Sequence, residues 1–137
     1  MIEKDCNLWI ESAQFRCIPT TGATSPDGTA IMDAGIAAEA ARKFSGLDID
    51  LGHLIKSRGN HVHVLRPGLL SFPMQQYAWA GPSLAIIDRS AKQLAAIVGE
   101  AKTLLPRPGC GPGQLNWDDV KKVLEFLPDN VIVIRHM

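Results

Sequence analysis

The sequence predicts an α/β fold built on a mostly parallel central sheet. Segments with strand and helix patterns alternate along the chain. The run Val131-Ile132-Val133-Ile134 is apolar without interruption, as in strands covered on both faces. Two glycine-bearing loops each follow a strand pattern and precede a helix pattern, which in a parallel sheet sets both at the carboxyl edge, where ligand crevices form. At 137 residues the chain has the length of one domain, and no linker, repeat or low-complexity stretch divides it.

The elements follow in order. Residues 14–20 alternate and read as a short strand, with Phe15 and Cys17 on one side. The stretch Thr21-Gly22-Ala23-Thr24-Ser25-Pro26-Asp27-Gly28 is a loop by its breakers. Residues 29–44 are expected to be helical, with Ile31, Ala34, Ala38, Ala41 and Phe44 on the apolar face and Gly46 as a stop. A second helix is expected over 48–58, with Leu51, Leu54 and Ile55 inward and Gly59 ending it. Residues 61–65 and 69–73 read as strands around the turn Arg66-Pro67-Gly68. The strongest helix begins near Pro82, with Leu84, Ile87, Ala91, Leu94, Ala95 and Val98 at helical spacing. Residues 103–106 form a short buried strand, and Asn116 is the N-cap expected for a helix carrying Trp117, Val120, Leu124 and Leu127. Asp118 and Asp119 suit its first turn. Residues 131–134 close the order as a strand.

Composition excludes several classes. Apolar residues are 46% and charged residues 20%, and 14 Lys and Arg cancel 14 Asp and Glu. That balance argues against a disordered chain and against direct coating of nucleic acid, which needs net positive charge. No apolar run approaches the roughly 18–20 residues of a membrane span, and no secretory leader pattern is visible, so a cytoplasmic location is expected. Cys6, Cys17 and Cys110 are odd in number and far apart, which fits reduced thiols better than a disulfide frame or a zinc site.

The two glycine loops carry the chemistry. Glycine lets backbone approach a ligand, and free N–H groups at a helix start bind anions. Two such loops on one edge suit a ligand with two phosphates; the alternative is that the glycines only build tight connections. His61 and His63 alternate with valines and read as a solvated strand face, without a third ligand for a metal. Cys110 sits where a helix start can lower a thiol pKa, and Arg107, beside prolines, is expected to be exposed.

The run Met32-Asp33-Ala34-Gly35-Ile36-Ala37 and the run Pro106-Arg107-Pro108-Gly109-Cys110-Gly111-Pro112-Gly113-Gln114-Leu115-Asn116-Trp117 together resemble macro domains, the ADP-ribose-binding modules. The nearer likeness is to the branch that includes the terminal ADP-ribose protein glycohydrolase. Cys6-Asn7-Leu8-Trp9 resembles that family's Gly-Asp-Leu motif, and Phe72-Pro73 with Trp79 its middle strand and loop. The resemblance covers nearly the whole chain, and the second loop with Trp117 is its most specific part. It implies a three-layer α/β/α fold with a mixed, mostly parallel sheet and ADP-ribose across the carboxyl edge, with no cofactor and no metal. It implies that Asn7 and Leu8 contact adenine, that Met32, Asp33, Ala34, Gly35 and Ile36 lie near the distal ribose and diphosphate, and that Gly109, Cys110, Gly111, Pro112, Gly113 and Gln114 wrap the diphosphate with backbone N–H groups. Thr21 stands where many relatives have an asparagine facing the distal ribose. Relatives carry a small residue such as cysteine at Cys110 without using it as a nucleophile. Of the tryptophans that offer a ring to adenine, Trp117 has core spacing.

The departures bear on function. Asn7 replaces an acid, keeping an acceptor without its charge. Asp33 replaces a glycine, and its carboxylate repels phosphate, acts as a base toward the distal ribose, or caps the following helix. Gln75 and Gly113 stand where the glycohydrolase branch has a catalytic lysine and an aspartate, so that mechanism is expected to be absent. Three functions follow: a module binding free or macromolecule-linked ADP-ribose, a hydrolase of ADP-ribosyl linkages relying on Asp33, or an interaction domain that has lost its ligand. The first is the reading the residues favour.

Overall fold

The computed structural model describes residues 1–77, 79–111 and 114–137. Its elements are β1 (Ile2–Cys6), β2 (Phe15–Thr21), α1 (Gly35–Lys43), α2 (Leu47–Arg58), β3 (Val64–Arg66), β4 (Leu69–Gln75), α3 (Leu84–Val98), β5 (Thr103–Pro106), α4 (Trp117–Leu124) and β6 (Val131–His136). The strands form one sheet in the order β1-β6-β5-β2-β4-β3. Every neighbouring pair is parallel except β3 with β4, whose strands meet through the tight turn at Pro67 and Gly68.

Successive side chains of a strand leave opposite faces of a sheet, and here each face meets helices. Cys17, Leu70, Phe72, Leu105 and Val133 pack with Ile87, Ala91 and Leu94 of α3 and Val120 and Leu124 of α4. Ile18 and Leu69 point the other way, onto Ala40 of α1 and Leu47 and Leu51 of α2. Leu104 and Ile134 close that second face together with Leu8. The result is the three-layer α/β/α arrangement and the mixed, mostly parallel sheet that the sequence predicted.

Four expectations are corrected. The helix expected over 29–44 begins only at Gly35. The preceding stretch is extended: Thr24 and Ala30 form an antiparallel bridge, and Ala30 donates its N–H to the Asp48 carbonyl at 2.9 Å. Ala30 and Met32 are both buried and Ile31 is less so, a period of two that overrides the helical reading of the same alanines. The strand expected from His61 starts at Val64, and His61 and His63 do not form a solvated face. His63 is buried with Nε2 against the Gly59 carbonyl at 2.9 Å, while Nδ1 of His61 meets Nε2 of Gln93 at 2.9 Å. Leu84 is exposed, although its spacing fitted the apolar face. Arg107 is half-buried, its guanidinium 4.5 Å from the ring centre of Trp117.

Two features set the loops that matter for the site. Gly52 of α2 abuts the Gly28 carbonyl so closely that a Cβ would overlap it, which lets α2 lie against the long loop after β2. Gly109 has φ +74°, and a Cβ there would stand 2.9 Å from Pro82.

Candidate functional site

The carboxyl ends of β2, β4, β5 and β6 open into a groove of three connected lobes. The central lobe, about 350 Å³, lies between the start of α1 (Gly35, Ile36, Ala37) and the loop after β5 (Gly109, Cys110, Gly111), with Pro19, Met74, Pro106 and Gln114 completing it. It shares Ile36, Pro106, Arg107, Cys110 and Gly111 with a lobe of about 380 Å³ toward Trp117 and His136. On the other side it shares Pro19, Ala34, Ala37, Met74 and Gln114 with a lobe of about 220 Å³ that reaches Thr21, Asp33 and Gln75.

Backbone donors are concentrated in the centre. Among the described residues, no acceptor takes the N–H groups of Gly35, Ile36 and Ala37; the first bond of α1 runs from Ala38 to the Ala34 carbonyl at 3.2 Å. Ala34, at the N-cap, offers no side-chain acceptor, and no acid stands in the first turn of α1. The N–H groups of Gly109, Cys110 and Gly111 likewise meet no acceptor among the described residues, whereas the carbonyls of Gly109 and Gly111 are taken by the N–H groups of Leu115 (2.9 Å) and Gln114 (3.1 Å). Both sets of donors therefore border the same lobe, and one is the positive end of a helix.

At the Trp117 lobe the polar groups are more committed. Arg107 donates to Glu3 at 3.3 Å. That carboxylate also accepts the Trp117 indole N–H at 3.0 Å and pairs with Lys121 at 2.8 Å. The Lys121 bond foremost, with Trp117 and Arg107, holds the Glu3 carboxyl below its ordinary pKa against the opposing effect of desolvation. The Arg107 Nε is buried with no acceptor among the described residues. His136 takes the Leu8 backbone N–H on Nδ1 at 3.0 Å, and its Nε2 faces Glu39 at 3.2 Å.

Most of the residues picked out in the sequence border this groove. Ala34, Gly35, Ile36, Gly109, Cys110, Gly111 and Gln114 line the central lobe, and Thr21 and Asp33 the smaller one. Met32 is buried and faces a separate depression behind the loop. Leu8 is wholly buried. Asn7 lines none of the three lobes; its Oδ1 accepts the Trp9 N–H at 2.8 Å and its Nδ2 donates to the Met137 carbonyl at 2.8 Å. Pro112 and Gly113 lie outside the described residues. Asp33 is exposed and makes no capping bond to α1, which removes capping from the alternatives open for it. Gln75 is buried and donates to the Tyr77 carbonyl at 2.9 Å. The Cys110 thiol is pushed up by burial, opposite to the lowering expected from the neighbouring helix start. Among the described residues no group of three His, Cys, Asp or Glu side chains could hold a metal ion, and no helix is long and apolar enough to cross a membrane.

His136, Arg135, Met74 and Pro19 are among the groove residues that the sequence reading left without a role there. The signal lay in strand length: continuing the apolar run 131–134 by two residues brings His136 to the carboxyl edge.

This sheet order, its helical layers and the groove at its carboxyl edge define the macrodomain fold, and the chain has that fold. It matches the macrodomain of Mycobacterium tuberculosis DarG with a TM-score of 0.79 at 21% identity, over 97% of this chain and 95% of that one. It matches the macrodomain of Thermus aquaticus DarG with a TM-score of 0.78 at 19% identity, over 99% and 97%. Thermosipho africanus DarTG, whose structure is a complex with ADP-ribose, matches with a TM-score of 0.74 at 14% identity, over 96% of this chain and 41% of that one. No family model matches the sequence, and neither does any curated protein.

Proposed function

We propose that this chain is a single domain that binds ADP-ribose, free or attached to a macromolecule, with the diphosphate in the central lobe. The observation that carries the reading is the pair of backbone N–H sets, Gly35 to Ala37 and Gly109 to Gly111, that meet no acceptor among the described residues and border one lobe. Backbone donors at a helix start and in a glycine loop are the arrangement that receives phosphate oxygens. The apolar walls of the Trp117 lobe suit a planar base, and the smaller lobe, with Thr21 and Asp33, suits the distal ribose. The ADP-ribose complex of the DarTG neighbour supports the same ligand for this fold. Free Cys6, Cys17 and Cys110 fit work in a reducing compartment such as the cytoplasm.

Calorimetric titration with ADP-ribose, beside ADP and NAD, tests this. Saturable binding of ADP-ribose is expected. Heat from none of the three would leave an interaction domain without a nucleotide ligand.

A hydrolase is the second reading, and Asp33 is the observation in its favour. An exposed carboxylate that caps nothing borders the lobe assigned to the distal ribose, where it can orient or deprotonate a water. A lysine nucleophile has no place in this reading, since Gln75 stands about where, by resemblance, the glycohydrolase branch has its lysine.

A further inference from the structure

Arg107 is the one charged side chain among the described residues that line the central lobe. It follows β5 directly and opens the loop that holds Gly109, Cys110 and Gly111. It also lines the Trp117 lobe. Burial raises the pKa of the Cys110 thiol, and the Arg107 charge opposes that rise, so the cation is felt within the loop whose N–H groups border the lobe.

Most of its hydrogen-bonding capacity is unused. A guanidinium carries five N–H donors. Among the described residues one bond draws on them, from Nη2 to Glu3 at 3.3 Å, long for a charge-assisted pair. Nε is buried and meets no acceptor, which is costly for a charged donor. The guanidinium lies over Trp117, 4.5 Å from the ring centre, and such a stack leaves the in-plane donors open. Arg135, the other arginine of the groove wall, is instead paired with Asp5 at 2.6 Å.

Glu3 stays compensated without Arg107. It accepts the Trp117 indole N–H at 3.0 Å and pairs with Lys121 at 2.8 Å. Among the groups that hold its carboxyl below the ordinary range, Lys121 acts most strongly and Arg107 least. A guanidinium that leaves Glu3 therefore strands no carboxylate.

We propose that Arg107 is a ligand-binding residue of the groove: with a diphosphate in the central lobe, its guanidinium turns from Glu3 and donates to a phosphate oxygen. The role rests on the proposed binding of ADP-ribose and adds a side-chain cation to the neutral backbone donors. Glu3 then competes with the ligand for one guanidinium, and salt weakens the attraction.

The experiment is calorimetry with ADP-ribose on wild type, Arg107→Ala, Glu3→Gln and the double variant. Arg107→Ala is expected to weaken binding about tenfold, the lower range for a hydrogen bond to a charged group. Glu3→Gln is expected to tighten it about threefold, the scale of a half-exposed ion pair removed from competition. In the Arg107→Ala background the same change is expected to stay within about twofold, since the competition has gone. Added salt is expected to weaken wild type more than Arg107→Ala. A purely structural Arg107 would give neither the coupling nor the difference in salt dependence. The Nε–H resonance of Arg107, assigned by its absence from Arg107→Lys, gives a readout on wild type. It is expected to shift with saturating ADP-ribose and to hold its place with adenosine, which has no phosphate. Unchanged affinity in Arg107→Ala, an equal effect of Glu3→Gln in both backgrounds, or an unmoved Nε–H resonance overturns the inference. If wild type binds no ADP-ribose, the proposed function falls and the inference with it; if wild type and Arg107→Ala bind alike, the inference alone falls.

Discussion

Asp33 stands one residue before the N-cap of α1, Ala34, and makes no capping bond. Its carboxylate is exposed at the narrow end of the groove. If the protein releases ADP-ribose from a modified protein or nucleic acid, Asp33→Ala is expected to lower that rate at least about tenfold, in the lower range for loss of a general base. Release that survives the substitution would assign the chemistry elsewhere, and no release from either protein would leave a binding module. Gly111 gives the sharper test of the central lobe. A Cβ there would meet only the flexible end of Gln114, at 3.1 Å, so Gly111→Glu is expected to fold. It sets a negative charge among the phosphate-facing N–H groups and is expected to abolish binding of ADP-ribose in calorimetry, with an unchanged melting transition. Gly35 and Gly109 to Gly111 were picked out through the motif resemblance, and they line one lobe; glycine spacing alone left plain tight connections open. His136 was not, because its role depends on a partner 128 positions away in the chain.

Among the elements, β1 is held to β6 by a parallel ladder, and one carboxylate ties it further to α4 and to the loop after β5. Glu3 joins Arg107, Trp117 and Lys121. Its pKa is lowered in the folded protein, so the stability it contributes is present above the unfolded value and lost as pH falls through the folded one. Glu39 acts in the same direction: burial would raise it, but the bonds from His136 and Trp9 outweigh burial. Glu3→Gln is therefore expected to lower the melting temperature near neutral pH and to flatten its fall below about pH 4.5; parallel acid limbs for the two proteins would contradict this. At α2, Gly52→Ala is expected to cost about 1–3 kcal/mol in urea denaturation, since the added methyl must push the Gly28 carbonyl aside. Elements whose own residues decide them were legible. α4 was, with Asn116 accepting the Asp118 N–H at 2.8 Å, and so was β5 over residues 103–106. The start of α1 was not, because Ala30 and Met32 serve a core built by α2 and β2, and packing outweighs the helix preference of an alanine and a methionine.

The sheet as a unit takes its stability from being covered twice. Leu94, wholly buried against β4 and its neighbours, is expected to lose about 2–5 kcal/mol of unfolding free energy on change to Ala, as measured by denaturant titration. Cover on both faces was readable at residues 131–134, an uninterrupted apolar run, and at the buried strand 103–106, whereas residues 14–20, read as alternating, did not disclose that Cys17 and Ile18 are buried on opposite faces. Which strands would be neighbours was not, since nothing local in β1 names β6 as its partner.

That pairing has a consequence for synthesis on the ribosome. Among the described elements β1 is translated ahead of the others and its sheet neighbour β6 after them, with Ile2 opposite Ile132 and Cys6 opposite His136. At usual elongation rates the interval between them is roughly 7–26 s. For that time the nascent chain carries an unpaired strand beside sticky cellular contents. Glu3, Lys4 and Asp5, three charges in a row with both signs, make it a poor template for foreign strands while it waits. Arrest-peptide force profiling should therefore register the final folding event only once β6 has left the exit tunnel, and a full-strength event at shorter lengths would show that the rest of the sheet closes without this edge.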